Sequence, residues 1–157
     1  MIAAFDLGTS CGYARETGGP FIISGTLQLQ QQRNESPGMR FIRFQNRLPE
    51  ILKGVTLVAF EDVRFHGRNN PSSVAHIYGA LKALLQMYCD QHDIQYTGFT
   101  PSEIKKHATG KGNANKEMMI AAAQARWTDA VIRGHDEADA RWILALAQER
   151  FAHELEA

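Results

Sequence analysis

At 157 residues, 44 % of them hydrophobic, the chain can bury one core but is too short for two substantial lobes, so a single domain over 1–157 is expected. Lys plus Arg and Asp plus Glu both total 17, so net charge gives no bulk attraction to a polyanion and any nucleic-acid contact must come from local patches. No run approaches the roughly 18 apolar residues of a membrane span, and the N-terminus lacks the basic start and cleavage site of a secretory signal; a cytoplasmic location is expected, with Cys11 and Cys89 as reduced packing residues rather than a disulfide or zinc framework.

Residues 2–6 are an apolar run closing on Asp6, followed by the turn-rich Leu7-Gly8-Thr9-Ser10 and then Gly12-Tyr13-Ala14-Arg15, which reads as strand, turn, strand. Residues 21–29 alternate enough to form a third strand and complete an antiparallel meander, and 30–36 make a polar connection. From 39 to 52, Met39, Ile42, Leu48, Ile51 and Leu52 recur at helical spacing with Arg40, Arg43 and Arg47 off that face. Pro49, late in this helix, predicts a kink or an early end.

Residues 55–60 form a continuous apolar run ending at Glu61 and Asp62, the pattern of a central strand covered on both faces. Pro71-Ser72-Ser73 opens a long helix carrying Val74, Ile77, Leu81, Leu84, Leu85 and Tyr88. A short strand follows at 94–99, then a helical turn from Pro101 through Lys106. Residues 107–115 hold Gly110 and Gly112 but no large apolar side chain, which predicts a surface loop before a helix over 116–127. A last helix starts near Asp136 and runs through Trp142, Ile143 and Leu146. A meander followed by alternating helix and strand predicts an α/β fold, a mixed five-stranded sheet flanked by helices, in the order of the RNase H-like topology.

Fold alone does not specify function; the acids carry more. Asp6 ends the first strand, Glu61 the fourth, and Asp136 with Asp139 opens the last helix. Three residues apart on a helix, Asp136 and Asp139 lie about 60° from each other on one face, while Glu137 points away. If the first and fourth strands are neighbours, Asp6 and Glu61 meet at one sheet edge beneath the helix's first turn. Carboxylates gathered in an apolar sheet repel one another unless a cation neutralises them, and hard divalent ions want oxygen ligands. Phosphodiester hydrolysis uses such a cluster to hold two ions about 3.5 to 4 Å apart. Taken singly, the acids have plainer explanations: Asp136 and Asp139 as helix-start acids, Glu61 and Asp62 as a solvated strand end, and Asp6 as a turn acid held by Thr9 or Ser10. Their joint order along the chain favours the metal site.

At four places in chain order the sequence resembles the RuvC family of Holliday junction resolvases, within the RNase H-like, retroviral integrase superfamily. These are Phe5-Asp6-Leu7-Gly8-Thr9-Ser10-Cys11-Gly12-Tyr13; Ala59-Phe60-Glu61-Asp62-Val63; Thr100-Pro101-Ser102-Glu103-Ile104-Lys105-Lys106 with Gly110-Lys111-Gly112-Asn113-Ala114-Asn115-Lys116; and His135-Asp136-Glu137-Ala138-Asp139-Ala140. The resemblance implies a homodimeric crossover junction endodeoxyribonuclease that nicks four-way DNA junctions symmetrically by Mg²⁺-dependent hydrolysis, with two ions per site and Mn²⁺ as a substitute. Asp6, Glu61, Asp136 and Asp139 match its metal-binding acids, and Lys105 and Lys116 match lysines that meet the DNA backbone; Lys111, in the Gly-rich loop between them, is expected to contact DNA as well. An aromatic wedge shortly after the second acid is also expected. Phe65 is the nearest aromatic while Arg64 occupies the expected position, so both stay open, and Arg64, Arg68 and Asn69-Asn70 would supply polar contacts at the crossover. Neutral charge and a compressed segment before the last helix depart from the family pattern. They fit a phage or diverged member and leave a branch-migration motor as an open partner. His135, ahead of the acid pair, reads first as a helix-start residue.

Three other functions compete. Asp6-Leu7-Gly8-Thr9-Ser10 also resembles the first phosphate loop of actin-like sugar kinases, which need a second lobe this chain has no room for, and the Gly110-Lys111 loop lacks Walker spacing. A YqgF-like nuclease acting on RNA shares the fold, but the lysine-bearing loop favours the DNA resolvase. A non-cleaving branched-DNA-binding protein would have no need of all four acids.

Overall fold

The computed structural model describes residues 1–64, 67–68 and 72–155, with side chains through residue 152. In chain order the elements are β1 (Ile2–Asp6), β2 (Ser10–Glu16), β3 (Ile22–Gln28), α1 (Met39–Ile51), β4 (Leu57–Glu61), α2 (Ser72–Gln91), β5 (Gln95–Phe99), α3 (Pro101–Thr109), α4 (Lys116–Arg126) and α5 (His135–Leu155). One five-stranded sheet has the order β3-β2-β1-β4-β5, the mixed arrangement the sequence predicts. The meander pairs antiparallel, with Ala4 opposite Ala14 and Tyr13 opposite Gly25. β4 lies parallel to β1, with Ala4 beside Ala59 and Phe5 beside Phe60, and β5 runs parallel to β4.

The two-residue period of the strands sorts the core into two layers. Ile2, Ala4, Ala14, Leu57 and Ala59 face α3, α4 and α5, whereas Ala3, Phe5, Cys11, Val58 and Phe60 face α1 and α2. Both cysteines are free and buried, as expected of packing residues. On the first layer α5 is buried along Ala138, Ala140, Trp142, Ile143, Leu144, Ala145, Leu146 and Ala147; its alanines let the helix axis approach the sheet closely. Where they meet, Ser10, Gly12 and Ala14 fall on the same face of β2, and a Cβ at Gly12 would stand 1.9 Å from the Asp136 carbonyl oxygen. Only glycine admits the helix there.

Several expectations need correction. Helix α1 continues two residues beyond Pro49, which sits in the last turn and removes only one backbone donor. Its buried face is Phe44, Leu48 and Ile51 rather than Met39 and Ile42, which are exposed, because Phe44 meets the ring of Phe5 edge-on at 6.1 Å between centroids. Strand β2 begins at Ser10, so Ser10 is a strand residue and not a turn residue. Residues 107–109, expected in a loop, complete α3. That helix starts on a Thr100/Glu103 capping box and ends on Gly110 in the left-handed region, φ 78°, whose N–H reaches the Lys106 carbonyl. The loop is thus shortened to 110–115, and Asn115 caps α4 by accepting from the Met118 N–H at 2.9 Å. No helix among the described residues is long and apolar enough to cross a membrane.

Candidate active site

Because β1 and β4 are parallel and paired through Phe5 and Phe60, the next residue of each, Asp6 and Glu61, leaves the sheet at the same edge. Above that edge lies the first turn of α5. Asp6, Glu61, Asp136 and Asp139 line one cleft of about 520 Å³, closed on the other side by Ile104, Lys105, Asn115, Lys116 and Met119 of α3 and α4. Four acids read separately from the sequence are therefore brought together, with Lys105 and Lys116, two of the three lysines expected to meet DNA, beside them.

Their electrostatics record the crowding. Burial, reinforced by the charges of Glu61, Asp139 and Asp136, holds the Asp6 carboxyl well above the usual carboxylate range against the opposing pull of Lys116. The Asp139 carboxyl is pushed up to about 7 by burial, then by Glu61 and Asp136, while Lys105 and Lys116 oppose. Burial also raises Glu61, with Lys105 lowering it. These are carboxyls that bear their charge at a cost and would gain from a cation.

Side-chain hydrogen bonds point the same way. Both Asp136 oxygens have partners: the Ser10 hydroxyl donates to Oδ2 at 2.8 Å, and His135 Nε2 stands 3.3 Å from Oδ1. Asp139 Oδ1, by contrast, is buried with no hydrogen-bond partner among the described residues, a condition that costs roughly 1–3 kcal/mol. A hard divalent cation would satisfy that oxygen, and an all-carboxylate donor set suits such an ion, so the residues present fit the metal that the sequence implies. Among the described residues no three such side chains already surround one metal position. The acids share a cleft and a field rather than a finished coordination shell.

Neighbouring groups hold the frame. The Tyr78 hydroxyl donates to the Glu61 carbonyl at 2.8 Å and accepts from the Val63 N–H at 3.0 Å, fixing the exit of β4. Asp62, one residue after Glu61, turns to the rim, where Lys82 at 2.7 Å and Arg64 at 3.2 Å hold its carboxyl below the usual range. A second cleft of about 510 Å³ borders the first across Asp6, His135 and Asp136, walled by residues 7–10 and by Val63, Val74, Ile77 and Tyr78. Lys111 is exposed and does not line the acid cleft; Arg64 and Arg68 are exposed outside it. Phe65, with Asn69 and Asn70, lies outside the described residues.

Sequence reasoning passed over three residues here. Ser10, a turn residue by sequence that could hold Asp6, holds Asp136 instead; Gly12 marks the contact between α5 and β2; and Glu137 is buried. The first two stand inside the Asp6–Tyr13 motif, but their partner is more than 120 residues away, and one-dimensional spacing carries no signal for it.

No protein-family model matches this sequence. The chain is 28 % identical over 138 residues, 83 % of its own length and 81 % of the relative's, to the crossover junction endodeoxyribonuclease RuvC of Brachyspira hyodysenteriae. Among solved structures it resembles Thermus thermophilus RuvC in complex with a Holliday junction substrate, with a TM-score of 0.74, 20 % identity, and coverage of 98 % of this chain and 94 % of that one. A second Thermus thermophilus RuvC structure gives a TM-score of 0.70 at 21 % identity, covering 98 % and 95 %. In sequence over most of its length, and in the order and pairing of its elements, the chain is RuvC-like.

Proposed function

We propose that this protein is a divalent-metal-dependent endodeoxyribonuclease that resolves four-way DNA junctions by hydrolysing a phosphodiester in each of two strands. The observation that carries the proposal is the meeting of four carboxylates from three distant parts of the chain in one lysine-flanked cleft, with Asp139 Oδ1 buried and unpartnered. A RuvC relative and a structural neighbour bound to a Holliday junction substrate support the choice of DNA.

Asp6, Glu61, Asp136 and Asp139 would hold the metal, Mg²⁺ with Mn²⁺ as a substitute. When bound, such ions supply an acidified attacking water and countercharge for the scissile phosphate and the leaving oxygen. The chain's own groups do the rest. Asp6 and Glu61 sit at the ends of paired sheet strands and Asp139 on a helix packed against the sheet, so their backbones are held in place and the adjustment that binding requires is left to the side chains. Lys116 is exposed and Lys105 half-buried; both lie where a phosphate approaching the acids would pass, and their ammonium groups attract the backbone that the carboxylates would otherwise repel. Lys111, Arg64 and Arg68 are placed farther out, as contacts to flanking phosphates. A role for Phe65 as junction wedge stays with the proposal.

Symmetric cutting needs two sites, which a homodimer supplies. The helix α2 exposes Val74, Gly79, Ala83 and Met87 along one side, a surface without long charged side chains, and is the proposed contact; sedimentation of the purified chain should give twice its 17.5 kDa, and a monomer mass at micromolar concentration would argue against it. The whole 1–157 stretch is taken as one nuclease domain. The test of function is incubation with a synthetic four-way junction: paired nicks are expected with Mg²⁺ and none with EDTA. Cleavage of RNA hybrids with the junction left intact would favour the YqgF-like alternative, and binding without any cutting would favour the non-cleaving one.

A further inference from the structure

Among the described residues, Glu137 and Arg141 are the two buried charged residues of the core, each about 6 % exposed, on a helix otherwise filled on its inner face by alanine, leucine, isoleucine and tryptophan. Burying a charge costs several kcal/mol unless it is paired and hydrogen-bonded, so their presence between and beside the two aspartates calls for a reason. Their bonding is directional. Arg141 Nε donates to the Ser24 hydroxyl at 2.8 Å, and that hydroxyl donates in turn to Glu137 Oε1 at 2.6 Å. The other carboxylate oxygen, Oε2, accepts from the Arg133 N–H at 3.0 Å. Ser24 lies on β3, an edge strand, while the adjacent Asp136 is pinned to Ser10 of β2. Gly12 lies beneath the backbone of Asp136.

The first turn of α5 is therefore fixed at three points on two strands, which leaves neither rotation about the helix axis nor sliding along it. Resting on the nuclease reading, we propose that Glu137, with Ser24 and Arg141, is a positioning device that sets the rotation of this turn and so the direction in which Asp136 and Asp139 present oxygens to the divalent cation. A one-ångström error in such placement is enough to cost two orders of magnitude in a reaction, and side chains that orient metal ligands typically govern metal affinity by 10- to 100-fold.

The test uses the full chain and Mn²⁺ alone, titrated calorimetrically without DNA, beside the Mg²⁺ concentration for half-maximal nicking. Glu137→Ala and Ser24→Ala should each weaken Mn²⁺ binding by about tenfold or more and move the Mg²⁺ half-point by a similar factor, with a smaller change in the rate at saturating Mg²⁺. Ser24→Thr, which keeps the hydroxyl, should restore both values. Glu16→Ala is the control for simple destabilisation. Glu16 accepts from Gln148 at the other end of α5 and from the Ile2 N–H, so its loss should lower Tm in EDTA while leaving Mn²⁺ affinity unchanged. If Glu137→Ala does not fold, the Ser24→Ala and Ser24→Thr pair decides alone. Unchanged Mn²⁺ affinity in Ser24→Ala, or an equal loss in Glu16→Ala, overturns the positioning role. Failure of the underlying reading looks different: Asp139→Asn would then keep both Mn²⁺ binding and nicking.

Discussion

Glu61 and Asp62 are consecutive, yet the structure treats them in opposite ways. Asp62 turns to the rim, meets Lys82 and Arg64, and is held below the usual carboxylate range; Glu61 turns into the cleft, where burial raises it. The same contrast divides the molecule. Away from the cleft, Glu35 accepts from the Gln32 N–H and pairs with Arg43, and Glu103 accepts from Thr100 and meets Arg150, so both are lowered. In the cleft, Asp6, Glu61 and Asp139 are all raised. Asp62, Glu35 and Glu103 are met by cations of the chain's own side chains; in the cleft the acids crowd one another, and Lys105 and Lys116 offset only part of the effect of burial. Sites that destabilise the chain that carries them are characteristic of function rather than folding.

The sharpest way to break this contrast is to remove a cleft acid and read activity. Asp6→Asn should reduce nicking of a four-way junction by on the order of 10³-fold or more, with junction affinity within a few-fold of the parent in a gel-shift assay. Nicking at the parent rate would remove Asp6 from the mechanism.

Stability should move the other way. The folded-state carboxyl of Asp139 lies at about 7, above an unfolded value near 4, so folding favours its protonated form: that stabilisation is fully present below about pH 4 and is lost as pH rises through about 7. In EDTA at pH 8, Asp139→Asn should therefore be more stable than the parent by about 2–4 kcal/mol, and the difference should close as the pH is lowered to 4. Asp62→Asn should be neutral or destabilising at pH 8, because it removes a paired charge. Thermal melts of both variants across that range check the pair; equal behaviour would erase the distinction between cleft and rim.

The smallest effects concern the lysines. Lys116→Ala should weaken junction binding, lower the slope of log K against log salt by about one and slow nicking, whereas Lys111→Ala, outside the cleft, should lower the slope by up to about one and leave the nicking rate at saturating junction unchanged. Equal slopes for Lys116→Ala and the parent would place Lys116 away from the phosphates.

How much of this was legible beforehand follows from the range of each signal. Strand ends and helix starts are local, so Asp6, Glu61, Asp136 and Asp139 could be placed by reading hydrophobic runs to their limits, and the order of elements implied the neighbouring of β1 and β4 that brings them together. The extra turn of α3 was missed because residues 107–109 lack the large apolar side chains that periodicity detects; Gly110, as a left-handed cap, was its only mark. Met39 and Ile42 misled because exposed apolar side chains are common on helices and carry no address. Ser24, Ser10 and Glu137 were invisible for a different reason: each acts through a bond spanning more than 110 residues, and nothing near them in sequence announces the partner.

Asp6, Glu61, Asp136 and Asp139 are proposed to make one divalent-cation site. Its most direct test is anomalous diffraction from crystals of the protein soaked in Mn²⁺. A manganese peak in direct contact with carboxylate oxygens of Asp6, Glu61 and Asp139, or of Asp136 in place of one of them, is the predicted result. Manganese bound elsewhere, with the cleft carboxylates coordinating none, would contradict it.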